Sequence, residues 1–431
     1  MLGAPVTDHA AASRINTPAQ VLFASLVGTT IEYFDFYIYA TAAVLVFPQL
    51  FFPPSDPATA TLASLATFGI AFVARPVGSA LFGHFGDRIG RKTTLVAALL
   101  TMGLSTVAIG LLPGYGTLGL AAPALLAVCR FGQGLGLGGE WGGAVLLAIE
   151  NAPPGKRAWY GMFPQLGAPI GFFVSASTFL LLSEWLTDQQ FVAWGWRIPF
   201  LASAILVVVG LYVRLNIAET PVFREAVTRE GKVSVPMVVV FRDHFPTLVR
   251  GTLVSLATFV VFYLTTVFAL SWGTTVLGYS RESFLRMQLI GIVFFGLTVP
   301  LSAVLAERGR RITLLWVTAG IAVFGLIMAP LLSSGLVGAT AMTIIGLGLM
   351  GLSYGPLGTV LSELFPTRVR YTGSSLTFNL AGIFGASLAP YIATWLAQTY
   401  GLEYVGYYLS GAAALTMAGL LTIRETKDQS L

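Results

Sequence analysis

The sequence has few charged residues and almost no cysteine. Only 10% of its 431 residues are Asp, Glu, Lys or Arg, whereas about 25% is usual in a soluble domain. So few charges cannot cover a water-facing surface of this size. The single cysteine, Cys129, excludes a disulfide scaffold. The three histidines, His9, His84 and His244, have no metal-ligand spacing, and no Ser/His/Asp arrangement indicates catalysis. We therefore expect no metal, no cofactor and no enzymatic activity.

Long apolar segments make up most of the chain. Hydrophobic residues account for 55%, and the mean hydropathy is +0.80. A membrane helix needs roughly 20 mostly apolar residues. Twelve segments qualify, and the apolar residues in them are continuous rather than alternating, which predicts helices. We call them spans 1 to 12, at about 20–49, 60–83, 93–113, 118–147, 158–183, 197–215, 247–275, 284–306, 312–333, 336–362, 372–398 and 402–423.

The positions of Lys and Arg predict the orientation of the spans. With the N-terminus inside, 19 of the 24 basic residues fall in cytoplasmic segments. Three fall outside (Arg197, Arg281 and Arg286), and Arg75 and Arg130 lie within spans. This asymmetry follows the positive-inside rule and predicts that both termini are cytoplasmic. The basic pI of about 9.3 then indicates lipid headgroups as the polyanion, not nucleic acid.

The polar segment 214–246 divides the chain into two groups of six spans. We predict a bundle over 1–213, a cytoplasmic linker over 214–246 and a second bundle over 247–431. Short sequence motifs of the first half recur in the second half, about half the chain length further on. These are Glu150-x6-Arg157 with Glu363-x6-Arg370, and Ile217-Ala218-Glu219-Thr220 with Ile423-Arg424-Glu425-Thr426. Tandem six-helix halves are a transporter layout with a central substrate site.

Several motifs resemble one family. The loop after span 2 has Gly83-xxx-Asp87-Arg88-x-Gly90-Arg91-Lys92, span 1 has Glu32-Tyr-Phe-Asp35 with Tyr39, span 2 has Arg75-Pro76, and span 4 has Arg130-Phe-Gly-Gln133 and Glu140-Trp141. Together they are similar to the metabolite:H+ symporter family of the major facilitator superfamily, which includes shikimate, α-ketoglutarate and proline/betaine transporters. The resemblance covers the whole chain. It implies a monomeric protein of the bacterial inner membrane that moves a metabolite together with protons.

Five charged residues lie clearly in the interiors of spans, and all are in the first half: Glu32, Asp35, Arg75, Arg130 and Glu140. A charge at the bilayer centre costs about 2.5–3.5 kcal/mol on insertion scales, so such residues usually face a cavity and have partners. We therefore expect the first half to carry the chemistry of protons and of substrate charge.

Glu32, Asp35 and Glu140 are the candidates for proton coupling. Glu32 and Asp35 are three residues apart and share a helix face, which Tyr39 continues. Two close, buried carboxylates raise each other's affinity for protons. The alternative is that both acids only pair with Arg75 or Arg130 to hold helices together. Glu140, further along span 4, is either a second proton site or a structural partner.

Arg130 is the main candidate for substrate binding. Its guanidinium presents a planar fork that matches a carboxylate, so it either binds an anionic substrate or holds the deprotonated acid. The alternative is a permanent buried ion pair. Further polar candidates in the spans are Tyr39, Gln133, Trp141, Gln165, Tyr263 and Asn379. Each of these alone is as consistent with contacts between helices.

Other residues are candidates for a gate or for packing. Arg75, the motif Gly83, Asp87, Arg88, Gly90 and Arg91, and two clasps, Glu150 with Arg157 and Glu363 with Arg370, are predicted to close the cytoplasmic side. The alternative is that these residues only set the orientation of the chain in the membrane. That alternative would explain the basic residues but not the acidic ones. The glycines of 132–143 predict close helix packing, and Pro164 and Pro169 predict a bent or broken span 5.

The sequence thus predicts an all-α membrane protein with twelve transmembrane helices in two pseudo-repeats, the major facilitator superfamily fold. We expect symport of protons with a small organic acid. The alternatives are uptake of a zwitterion such as proline or betaine, proton-driven export, or a membrane sensor or enzyme that transports nothing.

Overall fold

The computed structural model describes residues 18–53, 57–89, 91–138, 140–216 and 236–427, and these residues contain helices but no β-strand. Each predicted span corresponds to one or more helices. Spans 1 to 6 are Pro18–Leu45, Pro57–Ile89, Arg91–Leu111, Ala121–Leu137 with Glu140–Glu150, Arg157–Trp185, and Arg197–Asn216. Spans 7 to 12 are Phe245–Tyr263 with Ala269–Thr275, Arg281–Arg308, Arg310–Ser333, Gly335–Glu363, Arg370–Ala381 with Ala389–Thr399, and Glu403–Thr422.

Within the described residues, eight helices are long and apolar enough to cross a membrane on their own. Asp188–Gly195 and Arg197–Val213, which meet at a bend of 41°, make a ninth candidate. Span 3 contains a shorter apolar helix, Val96–Leu111. The other two spans depart from a plain apolar helix, since span 1 carries two acids and span 4 consists of two helices.

The helix contacts of the first six spans recur in the last six. Span 1 packs against span 5, span 2 against span 4, and span 3 against span 6. The corresponding pairs 7 and 11, 8 and 10, and 9 and 12 also pack together. Across the two sets, span 5 packs along span 8, and span 2 packs along span 11. This repetition fits the predicted halves, while the exact boundaries of the linker stay a prediction.

Of the two alternatives for span 5, bent or broken, the broken helix is wrong, and a bend stays a prediction. Arg157–Trp185 is one continuous helix that includes Pro164 and Pro169, because a membrane helix can re-satisfy the backbone groups that proline frees. The neighbouring glycines serve packing, since a Cβ at Gly167 or Gly171 would meet span 1 within 3 Å. Spans 7 and 11 change their winding at the π-helical turns Leu264–Phe268 and Gly382–Ser387, and a third π-helical turn, Phe191–Gly195, precedes span 6.

The glycines of span 4 allow close contact with span 2, as the sequence predicts. A Cβ on Gly134 would strike the backbone of Ala71, and one on Gly138 would strike the backbone of Arg75. Small residues at such crossings let membrane helices approach until their backbones touch. This contact fixes the position of span 4, and therefore of Arg130, against span 2.

We expect Gly134→Ala to lower the melting temperature of the purified protein in detergent, because the added methyl group overpacks the contact at a cost of about 1–3 kcal/mol. Gly348→Ala is the matched control, since a Cβ there meets nothing within 4 Å. Equal melting temperatures for the two variants would contradict this account of the crossing.

Candidate functional site

A chain of buried hydrogen bonds connects Asp35 in span 1 to Arg130 in span 4. The Thr106 hydroxyl lies 3.2 Å from Asp35 Oδ2 and 3.0 Å from the carbonyl oxygen of Met102, so its single proton is shared between two acceptors. Gln133 Nε2 donates to Thr106 Oγ1 over 2.8 Å, and Arg130 Nη1 donates to Gln133 Oε1 over 2.9 Å. The acid and the base are therefore linked through two neutral side chains.

The Arg130 guanidinium is enclosed by aromatic rings. Its Cζ lies 4.0 Å from the ring centroid of Tyr39, 4.4 Å from that of Phe36 and 5.0 Å from that of Phe68. The side chain is fully buried. Ring faces attract a desolvated cation electrostatically, so they partly replace the water that Arg130 has lost.

Arg130 and Asp35 form no direct ion pair. Neither residue takes part in the ion pairs found among the described residues. Asp35 Oδ1 and Arg130 Nε are buried without a hydrogen-bond partner, and Ser203 of span 6 lies close to the Asp35 carboxylate. The predicted alternative of a permanent Asp35–Arg130 ion pair is therefore absent from this conformation.

Arg75 adjoins the same aromatic rings. Its Cζ lies 4.8 Å from the centroids of both Phe36 and Phe72, so Phe36 contacts both buried guanidinium groups. Tyr263 of span 7 packs against Phe72 at 5.8 Å and against Phe68 at 5.5 Å. These rings, with Tyr39, form an aromatic cluster that connects the first-half charges to the second half.

The two acids of span 1 face different neighbours. Asp35 contacts span 3, while Glu32 is close enough to Tyr33 and Tyr354 to interact with them electrostatically. The hydroxyls of Tyr33 and Tyr354 hydrogen-bond to each other between spans 1 and 10. Side chains three positions apart in a helix point in directions that differ by about 60°. The two carboxylates therefore have different neighbours.

A second set of hydrogen-bonded polar residues lies between the two halves. Trp141 Nε1 donates to Gln165 Oε1 over 2.9 Å, and Gln165 Nε2 donates to the Tyr354 carbonyl over 3.0 Å. The Trp141 ring stacks on Phe378 at 3.7 Å, and Asn379 Nδ2 lies 3.3 Å from Ser79 Oγ. The predicted substrate residues Trp141, Gln165 and Asn379 are thus engaged with other protein groups here.

Glu140 is in a separate place. It lines a cavity of about 60 Å³ together with Ser25, Gly28, Gly210 and Val213. These residues come from spans 1, 4 and 6, and none belongs to the Asp35–Arg130 chain. Its predicted role as a second proton site is therefore not linked to that chain by any described contact.

One end of the bundle, where spans 4, 8 and 10 end and spans 5, 9 and 11 begin, holds a network of ion pairs; we call it the basic end. Glu363 accepts from Arg310 Nε and Nη2 over 3.1 and 3.3 Å and from Arg157 Nη1 over 3.5 Å. Thr426 Oγ1 also donates to Glu363, over 2.6 Å. The side chains of Glu363 and Arg310 are almost completely buried.

This network also reaches across the two halves. Arg157 pairs with Glu363 of the other half, and Arg370 is attracted both to Glu150 of the other half and to Glu363 of its own. The Arg370 Nε also donates to the Ser362 and Phe365 carbonyls. Contacts between the halves form because the ends of spans 4, 5, 10 and 11 converge, and the predicted clasps within each half stay a prediction.

Two further ion pairs join the halves at the opposite end. Arg281 Nη2 lies 2.7 Å from Asp188 Oδ1, and Arg286 Nη2 lies 2.6 Å from Glu184 Oε1. From the sequence, both arginines are predicted only to lie on the outer side. The two sets of spans are therefore in polar contact at both ends in this conformation.

Most side chains of the motif after span 2 lie outside the part of the chain that the structure describes. Gly90 lies outside the described residues. Gly83, Asp87, Arg88 and Arg91 lie in helices Pro57–Ile89 and Arg91–Leu111, but their side chains are outside the described part. Their gating role stays a prediction.

Sequence reasoning missed Thr106, Ser203, Phe36 and Arg310 as parts of these networks. Thr106 and Ser203 are single hydroxyl residues in apolar spans, and such residues usually bond to their own helix. Phe36 lies directly beside Asp35, and this adjacency was the one available signal. Arg310 follows span 8 and was counted only among the cytoplasmic basic residues that set the orientation.

The comparisons with known proteins agree with this architecture. The sugar (and other) transporter family matches residues 20–235 and 256–431. The structure of the xylose transporter XylE from Escherichia coli is similar with a TM-score of 0.72 and 17% identity, over 96% of this chain and 99% of that one. That likeness supports the twelve-helix fold.

Curated relatives are similar over nearly their full length. The inner membrane metabolite transport protein YhjE of Escherichia coli is 57% identical over 97% of this chain and 96% of its own. The shikimate transporter of Escherichia coli is 35% identical over 92% of each chain, and the proline/betaine transporter of Salmonella typhimurium is 32% identical over 96% of this chain and 84% of its own. The chain therefore belongs to the sugar (and other) transporter family of the major facilitator superfamily, and it is a membrane transporter rather than an enzyme.

Proposed function

We propose that the protein carries a small organic acid together with protons across the bacterial inner membrane. The observation that carries the proposal is the buried, aromatic-enclosed Arg130, which has no ion pair among the described residues and reaches Asp35 only through Gln133 and Thr106. A substrate carboxylate would supply the missing countercharge. The names of the inner membrane and shikimate relatives support the membrane and the solute class.

Asp35 is the proposed proton carrier. An uncompensated carboxylate in a low-dielectric site is costly, and protonation removes that cost. Proton binding at Asp35 changes the hydrogen bonds of Thr106 and Gln133, and therefore the groups available to Arg130. The substrate anion and the proton would then be bound through one connected chain of side chains.

Alternating access is the proposed transport cycle, with the two halves rocking about the central site. The Glu363 network would open when the solute is exposed at the basic end. The Arg281–Asp188 and Arg286–Glu184 pairs would open when it is exposed at the opposite end. The Lys and Arg distribution supports a cytoplasmic position for the basic end.

A zwitterionic solute is the second candidate. The similarity to a proline/betaine transporter supports it, and the aromatic cluster around Arg130 and Arg75 has ring faces that also attract a ligand cation. A panel of shikimate, proline and betaine, tested for uptake in overexpressing cells with and without an uncoupler, separates the two candidates.

We expect Asp35→Asn to abolish accumulation of radiolabelled solute in proteoliposomes under an imposed pH gradient, because the amide cannot bind and release the proton. Exchange of solute between the two sides, with no gradient, should persist. Asp243→Asn is the matched control, since this acid is exposed and lies outside the ion pairs that join the halves. Gradient-driven accumulation by Asp35→Asn at the level of Asp243→Asn would rule out Asp35 as the coupling residue.

We also expect Glu363→Gln to destabilise the protein more than Glu184→Gln. The first change removes the carboxylate that Arg157 and the buried Arg310 share, so that Arg310 keeps only its contact with Glu307, at a cost of up to about 3–5 kcal/mol. The second change breaks a partly exposed pair that contributes about 0–1 kcal/mol. Melting temperatures in detergent measure the difference, and a larger loss for Glu184→Gln would contradict the proposed importance of the Glu363 network.

A further inference from the structure

A cleft at the basic end lies apart from the Asp35–Arg130 chain. Its volume is about 330 Å³, within the range of about 300–1,000 Å³ that is usual for small-molecule sites. Span 7, the end of span 10 and the segment after span 12 form its walls. The polar residues that line it are Thr247, Arg250, Glu363, Thr422, Arg424 and Thr426.

Two basic side chains line the cleft without an acidic partner among the described residues. Arg250 and Arg424 are exposed and come from elements far apart in the chain. None of the ion pairs found among the described residues includes either of them. Two guanidinium groups that converge on one concave surface without a countercharge leave a positive potential there.

The one acidic residue of the cleft does not cancel that potential. Glu363 is compensated by Arg310, Arg157 and the Thr426 hydroxyl, which donate to its two oxygens. Thr247 and Thr422 add neutral hydroxyl groups to the wall. An anion with several oxygen atoms would therefore find two charged donors and uncharged hydroxyl groups.

We propose that this cleft binds a phosphate-bearing anion, held by the Arg250 and Arg424 guanidinium groups. Guanidinium matches phosphate by forming paired, charge-assisted hydrogen bonds. The phosphate would come either from the headgroup of an acidic membrane lipid or from soluble phosphate. Basic pockets between membrane helices are sites of lipid headgroup binding, and this cleft is at the end that the Lys and Arg distribution assigns to the cytoplasm.

The site has a consequence for transport, which is independent of the identity of the transported solute. Glu363 and Thr426 belong both to the cleft wall and to the network that joins the halves at the basic end. An anion that bridges Arg250 of span 7 and Arg424 holds the segment after span 12 in place. Occupancy therefore supports the Thr426–Glu363 hydrogen bond, and Glu363 in turn pairs with Arg157 of the other half.

The test uses the full-length protein in a neutral detergent and measures melting temperature and dissociation constant. One arm adds short-chain phosphatidylglycerol, with short-chain phosphatidylcholine as its control. The other adds inorganic phosphate, with chloride at equal ionic strength as its control. The variants are Arg250→Gln and Arg424→Gln, and Arg308→Gln is the matched control, an exposed arginine of the same end outside the cleft.

We expect phosphatidylglycerol or inorganic phosphate to raise the melting temperature of the wild type and of Arg308→Gln, and the arm that responds identifies the source. Each cleft variant should bind roughly tenfold more weakly, the loss expected for one charged hydrogen bond. Arg250→Lys and Arg424→Lys, which keep the charge, should retain most of the binding. A response that is equal in all variants, or absent in both arms, would overturn the proposal.

Discussion

The burial of one cation, Arg130, is the constraint on which the rest of the site depends. A charge in a low-dielectric interior needs compensation, and Arg130 receives it from the rings of Phe36, Tyr39 and Phe68 and from Gln133, not from a carboxylate. Arg75 shares Phe36 with it. Two guanidinium groups around one ring attract an anion to this place. Asp35 stays within the same hydrogen-bonded chain without neutralising Arg130, which supports the proposal that solute charge and proton charge are exchanged there.

The ion pairs at the two ends of the bundle differ in how deeply their side chains are buried. At the basic end, Glu363 and Arg310 are buried, and removal of one partner leaves an uncompensated charge. At the opposite end, Glu184 and Asp188 are accessible to water, which weakens their pairing. The basic end is therefore the more strongly held of the two. Any ligand or mutation that acts on Glu363 should shift the balance between the two openings.

The spans and the close packing at Gly134 and Gly138 could be predicted because each depends on local apolar content or on helical spacing. The partners of Asp35 could not, because Thr106 and Ser203 are brought near it only by the packing of spans 1, 3 and 6. The contact of Arg157 with Glu363 could not be predicted either, since sequence spacing says nothing about which half a charge faces. A break at Pro164 and Pro169 does not occur, because neighbouring residues in a membrane bundle compensate for the lost backbone hydrogen bonds.

The most direct test of the central claim measures how tightly an organic acid binds when the buried cation is changed. Isothermal titration of shikimate into the wild type, Arg130→Lys and Arg130→Gln, with a neutral ester of the same acid as the control ligand, separates charge recognition from general damage. The account predicts roughly 100-fold weaker binding of the acid by Arg130→Gln, since a bidentate charged contact is lost. It predicts an intermediate loss for Arg130→Lys and little change for the ester. Equal affinity of the wild type and Arg130→Gln for the acid would contradict the account.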